Sequence, residues 1–161
     1  YFPEGLPAEW QFAYYANEAS CLVLPAPDWL ALAAEEVSGW VEDCPAGFRF
    51  YLEWPARDTG GGAVDQAALF REWLGAILVT HEVASPLPGV PAWRAQDSGV
   101  WVDSQGRERL MSLRLGERDD LKALRSELAS LPATVEALLV EDRTPDSLME
   151  LRTLCELLGI A

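Results

Sequence analysis

Apolar and polar positions along this chain switch repeatedly between a two-residue and a three-to-four-residue spacing, and each switch marks an element. Trp10-Gln11-Phe12-Ala13-Tyr14-Tyr15 and Ser20-Cys21-Leu22-Val23-Leu24 are short, aromatic or β-branched, and separated by Asn17-Glu18. That pattern predicts two strands joined as a hairpin. Pro25-Ala26-Pro27 stops the second strand. Asp28 then stands where a helix cap belongs, ahead of Leu30, Ala33, Val37, Trp40 and Val41 on one stripe, with Glu35, Glu36 and Glu42 largely off it. Cys44-Pro45-Ala46-Gly47 ends this helix, and Phe48-Arg49-Phe50-Tyr51-Leu52-Glu53-Trp54 alternates as a third strand closed by Pro55.

Asp58-Thr59-Gly60-Gly61-Gly62 leads through Asp65 into a second predicted helix carrying Leu69, Phe70, Trp73, Leu74, Ile77 and Leu78, a stripe wide enough for deep burial. Pro86, Pro88 and Pro91 make Ser85 to Trp93 an irregular connection. Gly99-Val100-Trp101-Val102 and Arg109-Leu110-Met111-Ser112-Leu113-Arg114-Leu115 flank Asp103-Ser104-Gln105-Gly106, whose first Asp and fourth Gly suit a type I turn with a bulge. A hairpin follows from that spacing. Asp119 or Asp120 opens a third helix with Leu121, Leu124, Leu128 and Leu131 on one face, ended by Pro132.

Val135 to Val140 is a short apolar run that reads as a strand, although a helix also fits it. Thr144-Pro145-Asp146-Ser147 supplies an N-cap, a proline at the first helical position and a first-turn acid, and Gly159 sits where the last helix would end. Leu148, Leu151, Leu154, Cys155 and Leu158 form its apolar stripe. The predicted order is β-β-α-β-α-β-β-α-β-α. Hairpins mixed with helices place the chain in the α+β class, a mixed and mostly antiparallel sheet with helices packed on it.

Length and composition bound this picture. At 161 residues, a single domain over 1–161 can bury a core without disulfides or metals, and 50% hydrophobic content with seven Trp argues against disorder. Tyr1-Phe2-Pro3-Glu4 lacks an initiator Met and a basic leader, so the expectation is a trimmed or excised part of a longer chain. No window reaches the ~18 apolar residues of a membrane span. A single lysine, Lys122, among many arginines, with abundant Ala, Gly, Leu and Pro, suggests a GC-rich bacterial coding sequence.

Charge changes the expected function more than the fold. The chain carries 26 Asp plus Glu against 12 Lys plus Arg, for a formal charge of -14. Such a surface repels phosphate backbones and anionic headgroups and speeds encounter with basic proteins, so no nucleic acid and no membrane is expected as partner.

Candidate chemistry is sparse. The lone histidine, His81, precedes Glu82, but neighbours on a helix do not face each other, and no nucleophile elbow or second histidine accompanies them. Arg57 to Gly62 lies between a strand and a helix, where backbone amides can cradle an anion, yet it has neither a P-loop ending nor a dinucleotide-binding order of glycines. A flexible connection suits it better.

The carboxylate pairs Glu35-Glu36, Glu42-Asp43, Asp119-Asp120 and Glu141-Asp142 have no metal-loop spacing and read as solvated helix faces and first-turn acids. Cys21, Cys44 and Cys155 match no zinc or thioredoxin pattern and favour a reducing, cytoplasmic compartment, with a Cys21 to Cys44 pairing left open. No cofactor, metal or catalytic residue is therefore expected, and whether the chain is an enzyme leans towards no.

Tryptophan is the remaining signal. Trp40, Trp54 and Trp73 fall on core stripes, whereas Trp29, Trp93 and Trp101 are the indoles expected to reach the surface. Trp93 and Trp101 beside Asp97, Asp103 and Glu108 are the expected partner-binding patch, against a bland reading of packing beneath a long loop. The leading expectation is an acidic, non-enzymatic domain that binds a basic protein, in its sharpest form a bacterial inhibitor or immunity-type protein that neutralises a basic toxin or nuclease. The alternatives are a small-ligand-binding or carboxylate-using enzyme domain, a secretion chaperone or an adaptor domain; a DNA mimic would need carboxylates arrayed along one face.

Overall fold

The computed structural model describes residues 5–56, 61–80, 85–96, 99–114, 121–141 and 145–159. In chain order the elements are α1 (Ala8–Glu18), β1 (Cys21–Leu24), α2 (Ala26–Ala31), α3 (Ala34–Asp43), β2 (Arg49–Glu53) and α4 (Gly62–Ala68). A 3-10 turn (Arg71–Trp73) precedes β3 (Leu74–Val79), β4 (Ala92–Gln96), β5 (Val100–Val102), β6 (Glu108–Arg114), α5 (Leu121–Ala129), β7 (Ala137–Glu141) and α6 (Pro145–Leu158). The strands form one sheet in sequential order from β1 to β7. β1 to β4 are parallel, β4-β5-β6 is an antiparallel meander, and β7 returns parallel to β6.

Sequential parallel strands with same-handed crossovers put every connecting helix on one face of the sheet. The packing bears this out. Leu24, Phe50, Leu52, Ile77 and Val79 point into a core shared with Phe12 and Ala16 of α1, Trp29 of α2, Val37 of α3, and Ala63 and Ala67 of α4. Further along, Leu113, Leu138 and Val140 pack against Leu124 and Leu128 of α5 and Leu151 and Leu154 of α6. Phe50 is the hub of the first core: it stacks on Phe12 at 5.7 Å and meets Phe70 edge-on at 5.0 Å, while Phe12 stacks on Trp40 at 4.9 Å. Such pairs add ~0.5–1.5 kcal/mol each beyond the area they bury.

The opposite face carries Tyr51, Ala76, Leu78, Trp93, Leu110 and Ala137, all buried, together with the half-buried Cys21, Val23, Trp101 and Leu139. Among the described residues no helix contributes to this second core, and strands from β1 to β7 all do, so the sheet itself curls round to cover its own inner face, in the manner of a barrel. Tyr51 and Trp93 meet there with ring centroids 5.3 Å apart. Gly75 makes room for them, because a methyl group at that position would overlap the Tyr51 ring.

Several expectations hold, and several are corrected. Helices against a mixed sheet, the α+β class, stands, as do β1, β2, the β5–β6 hairpin, α5, β7 and α6. The antiparallel majority does not, since four of the six pairings are parallel. The order β-β-α-β-α-β-β-α-β-α is replaced by α-β-α-α-β-α-β-β-β-β-α-β-α.

Trp10 to Tyr15 lies in α1 and not in a strand: Phe12 and Ala16, four residues apart, are its buried positions, and alanines support the helix where aromatics suggested a strand. The helix expected from Asp28 onwards is two, because Leu32 and Ala33 are extended. Gln66 explains the break: its amide donates to the carbonyls of Leu32 (2.7 Å) and Trp29 (3.3 Å), which would otherwise lack partners at the end of α2.

The second expected helix stops at Ala68, and Leu74–Val79 is a strand. A parallel strand buried on both faces is a continuous apolar run, and such a run matches a helix stripe equally well over a short window. The irregular connection ends at Pro91, and Trp93 lies in β4.

The Gly75 contact gives a stability test. Gly75→Ala is expected to lower the unfolding free energy by ~1–3 kcal/mol through overpacking. In a Tyr51→Ala background the same change is expected to cost much less, giving a non-additive double-mutant cycle in denaturant melts. Equal costs in both backgrounds would show that the Tyr51 ring is not what Gly75 accommodates.

Candidate functional site

The hairpin that carries most of the expected patch is built from its turn outwards. Asp103 Oδ1 accepts the backbone N–H groups of Gln105 (2.8 Å) and Arg107 (3.0 Å), and the Gly106 N–H donates to the Asp103 carbonyl at 2.9 Å. Gly106 takes the left-handed backbone (φ 74°) that a bulged type I turn needs. Arg107 Nε donates to Asp103 Oδ2 at 2.8 Å. Desolvation alone would raise the Asp103 carboxyl; the Arg107 side chain and the two amides outweigh it and hold the group below the usual carboxylate range. The acid that looked available for a partner is thus committed to its own turn.

Trp93 departs further from the expected patch. It is 1% exposed and lies in the inner core, and so is not the surface indole expected from the sequence. The Arg109 guanidinium sits over its ring, 5.7 Å from the centroid. Arg109 Nη2 donates to Glu136 Oε1, and Arg109 Nε lies 3.9 Å from Asp103 Oδ2.

Trp101 is half-buried against the same core, and Glu108, at the start of β6, is also half-buried. Asp97 lies outside the described residues. The structure therefore brings Trp93 and Asp103 towards Arg109 and packs Trp101 against the same core, so they form part of the inner core and its rim, not an exposed indole patch. Trp29 is likewise fully buried, its indole N–H donating to the Glu53 carbonyl at 2.9 Å. The exposed tryptophan is Trp10, at 64%.

The larger feature is a cleft of about 1100 Å³ between the two edge strands, lined by Cys21 and Val23 of β1, Ala137 and Leu139 of β7, and Cys155 of α6. Its remaining walls are the end of α1, the Pro45–Phe48 turn and the segment between α5 and β7. All of these lie towards the starting ends of the parallel strands. The carboxylates lining it are Glu18, Glu136 and Glu156; Glu136 is paired with Arg109, and Glu156 accepts from Arg152 Nε at 3.1 Å.

Cys21, Cys44 and Cys155 are free thiols. Burial pushes the Cys21 thiol up to about 11, so it is neutral at physiological pH and a poor nucleophile. Burial, with the Cys21 and Glu136 neighbours adding to it, also raises the Tyr51 hydroxyl, against the pull of Arg49 and Arg109. No group of three or more His, Cys, Asp or Glu able to hold a metal occurs among the described residues. His81, Glu82, the Arg57–Gly60 part of the glycine loop and the Asp119-Asp120 pair lie outside the described residues.

Sequence reasoning missed Tyr51, Arg109, Glu136 and the cleft. Tyr51 alternates in phase with the inner face of β2, which was a usable signal. The Arg109–Glu136 pair, contributed by β6 and the segment before β7, has no local signature. No protein-family model, curated protein or solved structure matches this chain.

The turn supplies a pH test. Asp103 has its pKa lowered by folding, so its contribution to the hairpin is present above the unfolded value of about 3.9 and fades as pH falls through the lower, folded value. An NMR titration of the Asp103 carboxyl is expected to give a midpoint below about 3.9, moving upward in Arg107→Ala. A midpoint at or above the ordinary value would show that the turn does not hold the carboxylate.

Proposed function

We propose that this chain is an acidic, non-enzymatic binding domain whose partner is a basic protein. One observation carries the reading. Positions 1–56 hold nine carboxylates and a single cation, Arg49. Of those carboxylates, Glu9, Asp28, Glu35, Glu36, Glu42 and Asp43 are exposed on α1, α2 and α3, the helices that cover the outer face of β1 and β2. A field of one sign on one side of a domain steers a partner of the other sign and orients it on arrival. The same field disfavours a nucleic-acid partner.

Two of the three carboxylates lining the cleft, Glu136 and Glu156, are each engaged by an arginine, which supports this reading over an acid–base enzyme. The neutral Cys21 thiol weighs the same way against a thiolate nucleophile. Among the described residues no helix is long and apolar enough to cross a membrane. The sharper form of the proposal is a bacterial inhibitor or immunity-type protein acting in the cytoplasm, where free thiols persist, on a basic toxin or nuclease. A secretion chaperone or an adaptor domain would use the same surface.

Affinity capture from the native host, at low and at moderate salt, tests the reading when run beside a Glu35→Lys, Glu36→Lys, Glu42→Lys, Asp43→Lys variant. A stoichiometric basic protein is expected at low salt, with association to the variant slowed about tenfold and dissociation little changed. Recovery of the bare chain at both salts, or equal association rates, would overturn it.

A further inference from the structure

We propose that the cleft between β1 and β7 receives an extended segment of the partner protein, flanked by Lys or Arg, which adds to the open edge of the sheet as a strand. The proposal rests on the basic-partner reading and specifies how that partner is held.

The backbone carries the argument. The Arg49 N–H donates to the Ser20 carbonyl at 3.1 Å, so the polar groups of Ser20 face β2. In a parallel ladder successive residues face opposite neighbours, which turns the N–H and C=O groups of Cys21 and Val23 towards the cleft. Of these, the Cys21 carbonyl is held by the Tyr15 hydroxyl at 2.7 Å. On the other wall β7 pairs with β6, and its second edge also faces the cleft. Edge groups of this kind are a template for another extended chain.

An apolar small molecule would fill the volume and leave those groups without partners, at a cost of ~1–3 kcal/mol for each one taken out of water. An extended peptide presents donors and acceptors at the ~3.3 Å repeat of the strands themselves and meets that need.

Backbone pairing selects a strand over a helix. The helix layer bridges the gap at one point, where α1 contacts α6 and Arg152 Nη1 approaches the Asn17 carbonyl at 3.5 Å. The two edges that bound the cleft belong to the sheet and present backbone groups at the strand repeat, which an extended chain can pair with, whereas a helix spends its backbone N–H and C=O groups on its own i→i−4 bonds. Alternate apolar residues of the incoming strand would meet Val23, Ala137 and Leu139. Its cationic flanks would meet Glu18 at the rim and the acid-rich helices beyond.

The test uses the whole chain and a synthetic peptide of about ten residues with alternating Val and Thr between Lys pairs. Two controls accompany it, one with alternate backbone amides N-methylated and one with Glu in place of Lys. Binding is read by calorimetry, by hydrogen exchange and by thiol labelling of Cys155 against Cys44, which lies outside the cleft lining.

The expected result is slowed exchange within 21–24 and 137–141, protection of Cys155 but not Cys44, and at least about tenfold weaker binding of both controls. Val23→Pro removes one cleft-facing donor without touching the bonds to β2 and is expected to weaken binding similarly. Should that variant fail to fold, the N-methylated peptide asks the same question of the native chain. If the Lys peptide binds while those segments exchange freely, and binding is lost on reversing Glu35, Glu36, Glu42 and Asp43, the groove is overturned and the acidic-binder reading survives. No binding of the Lys peptide also overturns the groove, and capture of a basic protein then decides the wider reading separately.

Discussion

Among the described residues no helix covers the inner face of the sheet, and the rest of the architecture answers to that. Tyr51, Leu78, Trp93 and Leu110 together present an apolar surface whose exposure would cost ~1.5–3 kcal/mol for each large side chain. Because the sequential strand order places the described helices on the outer face, burial comes from the strands bending towards one another. Curling brings β1 and β7 to the two sides of one cleft, and it brings residues from distant parts of the chain into a single cluster. Gly75 and the small Ala76 and Ala137 are what allow rings as large as Tyr51 and Trp93 to fit inside the curve.

At the rim of that inner core the chemistry becomes ionic. Arg109 covers the Trp93 ring with its guanidinium, a group that tolerates partial burial because it is planar and weakly hydrated. Glu136 and Asp103 supply the countercharge. The effect is local neutralisation where the fold needs packing, while the excess acid lies on exposed helix faces where water solvates it. In a chain of formal charge -14, no carboxylate among the described residues is buried in a core.

This division has a functional counterpart. The exposed acids of α1, α2 and α3 supply a long-range field that depends on ionic strength, and the cleft supplies short-range shape and backbone hydrogen-bonding capacity. A partner guided by the first and held by the second would need basic residues beside a segment able to extend. Charge alone discriminates poorly among basic proteins, so the fit in the cleft would set specificity.

Local chemistry in the sequence determined a good part of this protein. Asp103 and Gly106 specify their turn through bonds made within five residues; Gly159 ends α6 in the left-handed conformation, and Pro132 follows the end of α5. The stripes of α5 and α6 are legible because each has one buried face. Where burial is two-sided, periodicity loses its meaning: Leu74–Val79 could equally have been a helix until Phe50 to Glu53 on one side and Ala92 to Arg94 on the other paired with it.

Trp10 to Tyr15 shows the converse, since its aromatics favour a strand locally and only packing on Phe48, Phe50 and Trp40 fixes Phe12 in a helix. The candidate site was the least legible part. Arg109 meets Glu136 across 27 positions, and β1 comes opposite β7 from nearly the other end of the chain. Charge and turn chemistry act over a few residues and can be read in order along the chain, whereas the curl that makes the cleft exists only when all seven strands are in place.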